Sequence, residues 1–289
     1  MGLRIDKDVA IGGKASLAVD GDAVWIASGA NVLRLDGGSG KVVARIPING
    51  DTGAIAAGEG GVWVNATSPD MQRHALLEID PATNRLVASI PLSLNYPDGI
   101  AAGGGSVWVA NALENTLTRI DPRTRRKVGA PLTIDGATGV AVGAGSVWVS
   151  QLYPGTVTRV DASTGRIEGA PVRVGDTAEG VAFGEGAAWA TGSAPNLLEG
   201  SAQVVRIDPA GAKPATANLK GPQVRDVAVT LGGVWALTED PNRIQRVDPK
   251  TRKPAGTPLA VPGAQWMAAG KDALWLATDT GHVLKLVGR

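Results

Sequence analysis

The sequence predicts an all-β fold, a seven-bladed β-propeller whose blades are four-stranded antiparallel sheets. Three observations predict it: Trp recurs seven times in one context at a mean spacing of about 42 residues, glycine-rich turns separate the apolar segments, and these units fill all 289 residues. Four-stranded units of about 40 to 45 residues that repeat with Trp are typical of propeller blades. Because seven units use the whole length, we expect a single domain, residues 1–289.

The first two strands of each unit are predicted from the residues before the repeated Trp. The seven members are Trp25, Trp63, Trp108, Trp148, Trp189, Trp235 and Trp275. An apolar residue stands eight positions before each Trp and Ala always follows it, as at Ile100 and Ala101. A small residue between larger apolar ones is typical of a strand buried on both faces. Glycine pairs such as Gly58 and Gly60 suit the two-residue hairpin turn that follows. We interpret the repeated Trp as packing between blades, since a buried aromatic covers roughly 150 to 250 Å².

A repeated turn predicts the third and fourth strands. Six units carry a charged residue, an aliphatic residue and Asp in succession, as in Arg119-Ile120-Asp121, and turn residues follow. The last unit stops after its third strand, whereas the first residues of the chain match the end of a third strand and then a fourth. We therefore expect the ring to close through a last blade built from residues 263–289 plus 1–13, which leaves no open edge strand.

Composition excludes several classes of function. The net charge is +1 and there is no Cys. Binding of nucleic acid by bulk electrostatics is therefore not expected, and disulfides, thiolate zinc sites and thiol nucleophiles are excluded. The two histidines, His74 and His282, lie in different units and form no metal-binding pattern. We predict no catalytic residue, no metal and no cofactor. The first residues lack an apolar segment, so we expect any export signal to lie outside them.

Candidate binding residues collect on one face of the predicted disc. The loops that join strands two and three, and those that join successive blades, open on this side, which we call the loop face. Two of these loops are lengthened, at 68–74 and 194–200, and insertions on one face of a repeat array often mark a binding face. Aromatic residues outside the repeat and polar residues at the channel rim lie there as well. The candidate ligand-binding residues are Tyr96, Asp98, Tyr153, Glu179, Arg225, Gln265 and Trp266.

Such a set suits a polar small molecule or a peptide. The alternative is a solvated rim on which Glu179 and Arg225 pair incidentally.

The opposite side, which we call the hairpin face, holds 11 of the 28 Lys and Arg residues. Charged hairpins are usually only solvated. If a membrane anchor lies outside the chain, these residues would instead face anionic headgroups, each contributing about 1 kcal/mol.

The repeated unit also carries a family resemblance. Its clearest copy reads Gly99-Ile100-Ala101-Ala102-Gly103, then Ser106-Val107-Trp108-Val109-Ala110-Asn111, then Leu117-Thr118-Arg119-Ile120-Asp121-Pro122. This pattern resembles the streptogramin lyase-like and YVTN/NHL-type bacterial propellers over all seven units. Streptogramin (virginiamycin B) lyases use a histidine with acidic residues and magnesium around the central channel. Here His74 and His282 lie outside the inner-strand pattern.

The resemblance further implies an extracytoplasmic location, at the cell surface or in the periplasm, because similar propellers form extracytoplasmic domains of bacterial receptor kinases. We therefore expect a non-catalytic domain that binds a ligand or a partner, such as an extracytoplasmic sensor domain, and that is monomeric in isolation. The alternatives are a streptogramin lyase-like enzyme acting at the channel mouth and a purely structural scaffold.

Overall fold

In the computed structural model the chain forms seven antiparallel sheets in a ring, which confirms the predicted seven-bladed propeller. The structure describes residues 2–93, 98–193, 202–211, 213–239 and 241–289. Within these ranges no residue is helical, so they contain no helix that could span a membrane. The first strands of neighbouring blades contact one another around the ring, and that of blade 7 contacts that of blade 1.

The blades follow one another along the chain, each with its first strand innermost. Blades 1 and 2 contain β2 (Ser16–Asp20), β3 (Ala23–Ser28), β4 (Asn31–Asp36) and β5 (Val42–Pro47), then β6 (Asp51–Gly58), β7 (Gly61–Thr67), β8 (His74–Asp80) and β9 (Arg85–Pro91). Blades 3 and 4 contain β10 (Gly99–Gly103), β11 (Ser106–Asn111), β12 (Thr116–Asp121), β13 (Arg126–Lys127) and β14 (Leu132–Thr133), then β15 (Ala137–Gly143), β16 (Ser146–Gln151), β17 (Thr156–Asp161) and β18 (Val172–Arg173). Blades 5 and 6 contain β19 (Val181–Gly184), β20 (Ala187–Ser193), β21 (Ala202–Ile207) and β22 (Ala215–Asn218), then β23 (Val224–Thr230), β24 (Gly233–Thr238), β25 (Arg243–Val247) and β26 (Pro254–Ala260). Blade 7 contains β27 (Ala264–Ala269), β28 (Leu274–Thr278), β29 (His282–Gly288) and β1 (Leu3–Ala10).

The two ends of the chain close the ring within blade 7, as the sequence predicts. Strand β1 pairs antiparallel with β29, from Leu3 opposite Gly288 to Ala10 opposite His282. The sheet order is β1-β29-β28-β27, so the N-terminal strand supplies the outer strand that the C-terminal segment lacks.

The repeated Trp side chains form the packing between blades. Trp25, Trp63, Trp108, Trp148 and Trp189 rank among the largest fully buried side chains. In five blades the indole N–H donates to the carbonyl five residues earlier, as from Trp63 to Gly58 at 3.1 Å. The spacing between Trp and Ala that repeats in every blade has a direct cause, since each Ala lies directly opposite its Trp in the strand pair, as Ala56 does opposite Trp63. A larger side chain there would meet the indole ring.

The outer strands of blades 3 and 4 are much shorter than those of blades 1 and 2, which have six and seven residues. The outer strand of blade 3 is broken into the two-residue strands β13 and β14, and β18 of blade 4 has only two residues. The sequence Gly-Ala-Pro lies between β13 and β14, at 129–131, and directly before β18, at 169–171. The glycines have φ of 70°, and Pro has no N–H to donate to the strand ladder.

Candidate functional site

The central channel widens at the loop face into a cavity of about 590 Å³. Residues from all seven blades line it, most of them at the start of a first strand. The charged and aromatic members of the lining are Asp98, Glu179, Arg225, Asp226 and Trp266.

Four of the seven predicted binding residues line this cavity: Asp98, Glu179, Arg225 and Trp266. Two others, Tyr153 and Gln265, lie outside its lining. Tyr153 is 69% exposed, and the Gln265 side chain donates to the carbonyl of Gly263 at 3.4 Å. Tyr96 and the insertion at 194–200 lie outside the described residues. The geometry brings together the predicted polar set of blades 3, 5 and 6 with the exposed indole of blade 7.

In blades 6 and 7 a bulge near the start of the first strand affects which side chains face the cavity. In blade 6, Val224 pairs with Thr238 and Asp226 with Leu237, so Arg225 is an extra residue on its strand. Neighbouring side chains in a regular strand point to opposite faces, whereas a bulge re-aims them. As a result Arg225 and Asp226 both line the cavity. In blade 7 the extra residue is Gln265, and Trp266 lines the cavity instead.

Asp226 is the charged residue of the lining that the sequence analysis does not predict. The prediction considered the position ten residues before each Trp, whereas Asp226 stands nine before Trp235. At that position the other blades carry small residues or Trp266; the small residues are Ser16, Ala54, Gly99, Gly139 and Gly180. A charged residue in blade 6, where five other blades have a small one, is the sequence signal that points to Asp226.

Asp226 has the most strongly perturbed carboxyl group of the cavity. Its Oδ1 accepts the N–H of Val227 at 2.8 Å, and its Oδ2 accepts that of Met267, in the next blade, at 2.7 Å. Desolvation by burial, with a smaller contribution from the nearby charge of Glu179, raises the pKa of Asp226 to about 7. The two backbone donors and Arg225 oppose this shift but are outweighed. The carboxyl group is therefore fixed in position, and its proton is lost near neutral pH instead of in the acidic range usual for Asp.

Two further carboxyl groups of the lining are also perturbed. Desolvation raises the pKa of Glu179, against the lowering effect of Arg225. Asp98 lies at the exposed rim, but partial desolvation of its carboxylate still raises its pKa, although the N–H of Ala112 donates to its Oδ2 at 2.7 Å. Arg225 does not pair primarily with Glu179. It forms an ion pair with Glu239, which also accepts a hydrogen bond from the Gln223 amide.

Hydroxyl groups on second strands hold the backbone around Glu179. The Ser150 hydroxyl donates to the Glu179 carbonyl at 2.7 Å, which links blades 4 and 5. The Thr191 hydroxyl accepts the N–H groups of Glu179 at 3.0 Å and of Gly180 at 2.9 Å. These bonds occupy the polar groups of the backbone and fix the direction of the Glu179 side chain, so this wall of the cavity is organised in advance.

Neither histidine lines the cavity. His74 is buried and shares a hydrogen bond of 2.9 Å with the Thr67 hydroxyl. His282 Nδ1 lies 2.6 Å from Asp8 Oδ1, at the seam between β29 and β1. Among the described side chains, no group of three His, Asp or Glu is placed to hold a metal ion.

Comparison with known proteins shows what this fold is similar to. No family model matches the sequence, and no curated protein matches it. Among solved structures, virginiamycin B lyase from Staphylococcus aureus superimposes with a TM-score of 0.80 at 15% identity, with 100% of both chains covered. A streptogramin B lyase gives 0.79 at 15% identity, covering 99% of this chain and 97% of that one. Hydrazine synthase from Kuenenia stuttgartiensis gives 0.76 at 15% identity, with 97% of each chain covered. The predicted likeness to streptogramin lyases is thereby confirmed for the fold.

Proposed function

We propose that this chain is a non-catalytic binding domain whose loop-face cavity takes a polar small molecule or the end of a peptide. The observation that carries the proposal is that this cavity gathers charged side chains from blades 3, 5 and 6 and an exposed indole from blade 7. Concave sites with a few convergent polar groups and perturbed pKa values are typical of ligand-binding sites. As a domain of an exported protein, it would act as an extracytoplasmic sensor or interaction module.

A thermal-shift screen of a library of polar small molecules and short peptides tests the proposal. Compounds that stabilise the protein are then titrated against Trp266→Ala and, as the matched control, Tyr153→Ala. Both positions are exposed aromatics on the loop face, but only Trp266 lines the cavity. We expect Trp266→Ala to weaken binding at least tenfold and Tyr153→Ala to leave it unchanged. The reverse pattern, or an equal loss in both variants, would place the site elsewhere.

The second candidate is a streptogramin lyase-like enzyme, which the structural likeness favours. One of the similar structures is a catalytically inactive histidine-to-alanine variant of virginiamycin B lyase from Staphylococcus aureus with quinupristin, at a TM-score of 0.78 and 15% identity. In the described part of this chain no histidine lines the cavity, which favours binding over catalysis. Incubation with quinupristin and magnesium, followed by chromatography, separates the two: a ring-opened product would establish the enzyme.

The basic residues of the hairpin face are a further candidate surface. We propose that they are solvated, with contact to an anionic membrane as the alternative. The six turn aspartates on this face have lowered pKa values because turn N–H and hydroxyl groups donate to them. They are ionised at neutral pH and offset much of the basic charge of the hairpins. Salt-sensitive binding to vesicles of anionic phospholipid would support membrane contact, and its absence would dismiss it.

A further inference from the structure

The charges that line the cavity are unbalanced. Its wall carries the carboxyl groups of Asp98, Glu179 and Asp226 against the single guanidinium of Arg225, counting the described residues. The guanidinium is already paired with Glu239. With all these groups ionised, the lining would therefore carry a net negative charge.

No described side chain supplies the missing positive charge. Asp226 is held by two backbone N–H groups, and Asp98 by one. Burial of a carboxylate without a cationic partner is costly, and a cation brought in by a ligand would remove that cost.

The cavity, of about 590 Å³, leaves room for an organic group beside these carboxylates. Its lining at Gly99 and Gly139 is backbone packed against the neighbouring blade, since a Cβ atom there would lie 2.2 Å from the Thr138 carbonyl oxygen and 2.7 Å from the Glu179 carbonyl oxygen, respectively. A Cβ atom at Gly180 would lie 3.3 Å from Asp226 Oδ1, so this carboxylate lies against the backbone of blade 5, next to the residue that carries the Glu179 carboxylate.

The aromatic member of the lining favours the same ligand chemistry. Trp266 is 46% exposed, whereas the Trp of the repeat are buried. An exposed indole face attracts cations through the quadrupole of the ring and also packs against apolar carbon. The indole and the carboxylates thus favour one kind of ligand, a positive charge on an organic body.

We propose that the ligand of this cavity carries an ammonium or guanidinium group, which binds at the carboxylates of Glu179 and Asp226 while its organic part packs against Trp266. This inference rests on the proposed binding function and narrows it to organic cations. Arg225 sets the specificity by keeping Glu239 neutralised and by repelling a second positive group.

Proton linkage follows from the site. The charged groups that face Asp226 are Glu179 on blade 5 and Arg225 on its own strand, with Asp98 across the cavity. Because burial raises the pKa of Asp226 to about 7, a cation that binds below that pH must displace a proton. Affinity should therefore rise with pH up to about 7, by at most about tenfold per pH unit for one proton, and then level off.

The test uses matched probes that differ in charge. Phenethylamine, phenethyl alcohol and 3-phenylpropionate form one set, and agmatine and tetramethylammonium extend the cationic side. Binding is measured by isothermal titration calorimetry with EDTA present, below and above pH 7, for the native chain, for Asp226→Asn and for the control Asp135→Asn. Asp135 is an exposed carboxylate on a blade-to-blade loop outside the lining.

We expect the amines to bind and the alcohol and carboxylate to bind at least tenfold more weakly. Asp226→Asn should weaken amine binding and remove its rise between about pH 6 and 7, whereas Asp135→Asn should change neither. Equal binding of the three phenethyl probes, or amine binding that Asp226→Asn does not alter, would overturn the inference. If no amine binds but library compounds bind through Trp266, the cation inference fails and the binding function stands. If nothing binds in either experiment, both fail.

Discussion

The third-strand residue opposite the repeated Trp forms a contact between neighbouring blades. In blade 2 this residue is acidic, whereas in the other blades it is basic. The residue opposite the repeated Trp is usually Arg, which lies over the indole and reaches the hairpin of the next blade, as from Arg34 to the Pro81 carbonyl at 2.8 Å and to Asn84 Oδ1 at 3.0 Å. In blade 2 the residue is Glu78, and Arg125 of blade 3 donates to it at 2.6 Å. Asn84 and Arg125 occupy the same position of their hairpins, four residues after the turn Asp.

The pair Glu78→Arg and Arg125→Asn would replace the ion pair between blades 2 and 3 with the Arg and Asn pair found between blades 1 and 2. Each change alone should destabilise the protein. Arg125→Asn leaves the nearly buried carboxylate of Glu78, 11% exposed, without its cation, at a cost of about 1–3 kcal/mol. Glu78→Arg sets two guanidinium groups against each other at a similar cost. The double variant should recreate the contact between Arg34 and Asn84. It should therefore lie within about 1 kcal/mol of the native protein, since Asn also tolerates the φ of 60° at this position.

The assay is a double-mutant cycle of unfolding free energies from urea titration, with thermal unfolding as a second readout. For a chain of this size, 1 kcal/mol corresponds to roughly 2–4 °C in the unfolding temperature. We expect a favourable coupling energy of about 2 kcal/mol or more between the two changes. Additive losses, with the double variant as unstable as the sum of the single variants, would refute the inference that these hairpin contacts hold adjacent blades together.

Three further predictions concern packing, pH and ring closure. Ala56→Leu, directly opposite Trp63, should lower the unfolding free energy by about 1–3 kcal/mol, whereas Ala82→Leu in an exposed turn should not. Because Asp226 has a raised pKa, its stabilising contribution is complete below about pH 4 and is lost as the pH rises through about 7, so Asp226→Asn should reduce the pH dependence of stability over that range. Removal of residues 1–10 should expose the edge of β29 and cause self-association, seen by size-exclusion chromatography.

The sequence predicts the propeller because its repeat is dictated by packing. Every blade has a Trp packed between sheets and an Ala opposite it, so the repeat of these two residues along the sequence is enough to predict the blades. The pairing of β1 with β29 follows from the same count, since the last unit ends one strand short. The shortened outer strands of blades 3 and 4 could have been read from the two Gly-Ala-Pro segments.

The candidate site is less predictable than the fold because a bulge in blade 6 breaks the alternation of side chains. Asp98, Glu179 and Arg225 are predicted as polar residues at the rim, but Asp226 follows Arg225 directly, and neighbouring side chains of a regular strand point to opposite faces. The bulge at Arg225 allows both residues to line the cavity. The bulge at Arg225 arises from pairing within blade 6 and leaves no glycine or proline as a marker. The partner of Arg225 likewise depends on the fold, because Glu239 is distant in sequence and meets Arg225 only when β23 and β24 pair.

The most direct test of the central claim, that the loop-face cavity is the binding site, is NMR of the Trp indole N–H groups. The chain has eight Trp, of which the seven repeated ones are buried and Trp266 is exposed at the cavity. Its signal is assigned by its disappearance in Trp266→Phe. A binder from the screen should shift the Trp266 indole signal in proportion to saturation and leave those of the repeated Trp essentially unmoved. If a binder at saturation leaves the Trp266 indole signal unshifted while other indole signals move, the result would contradict the account.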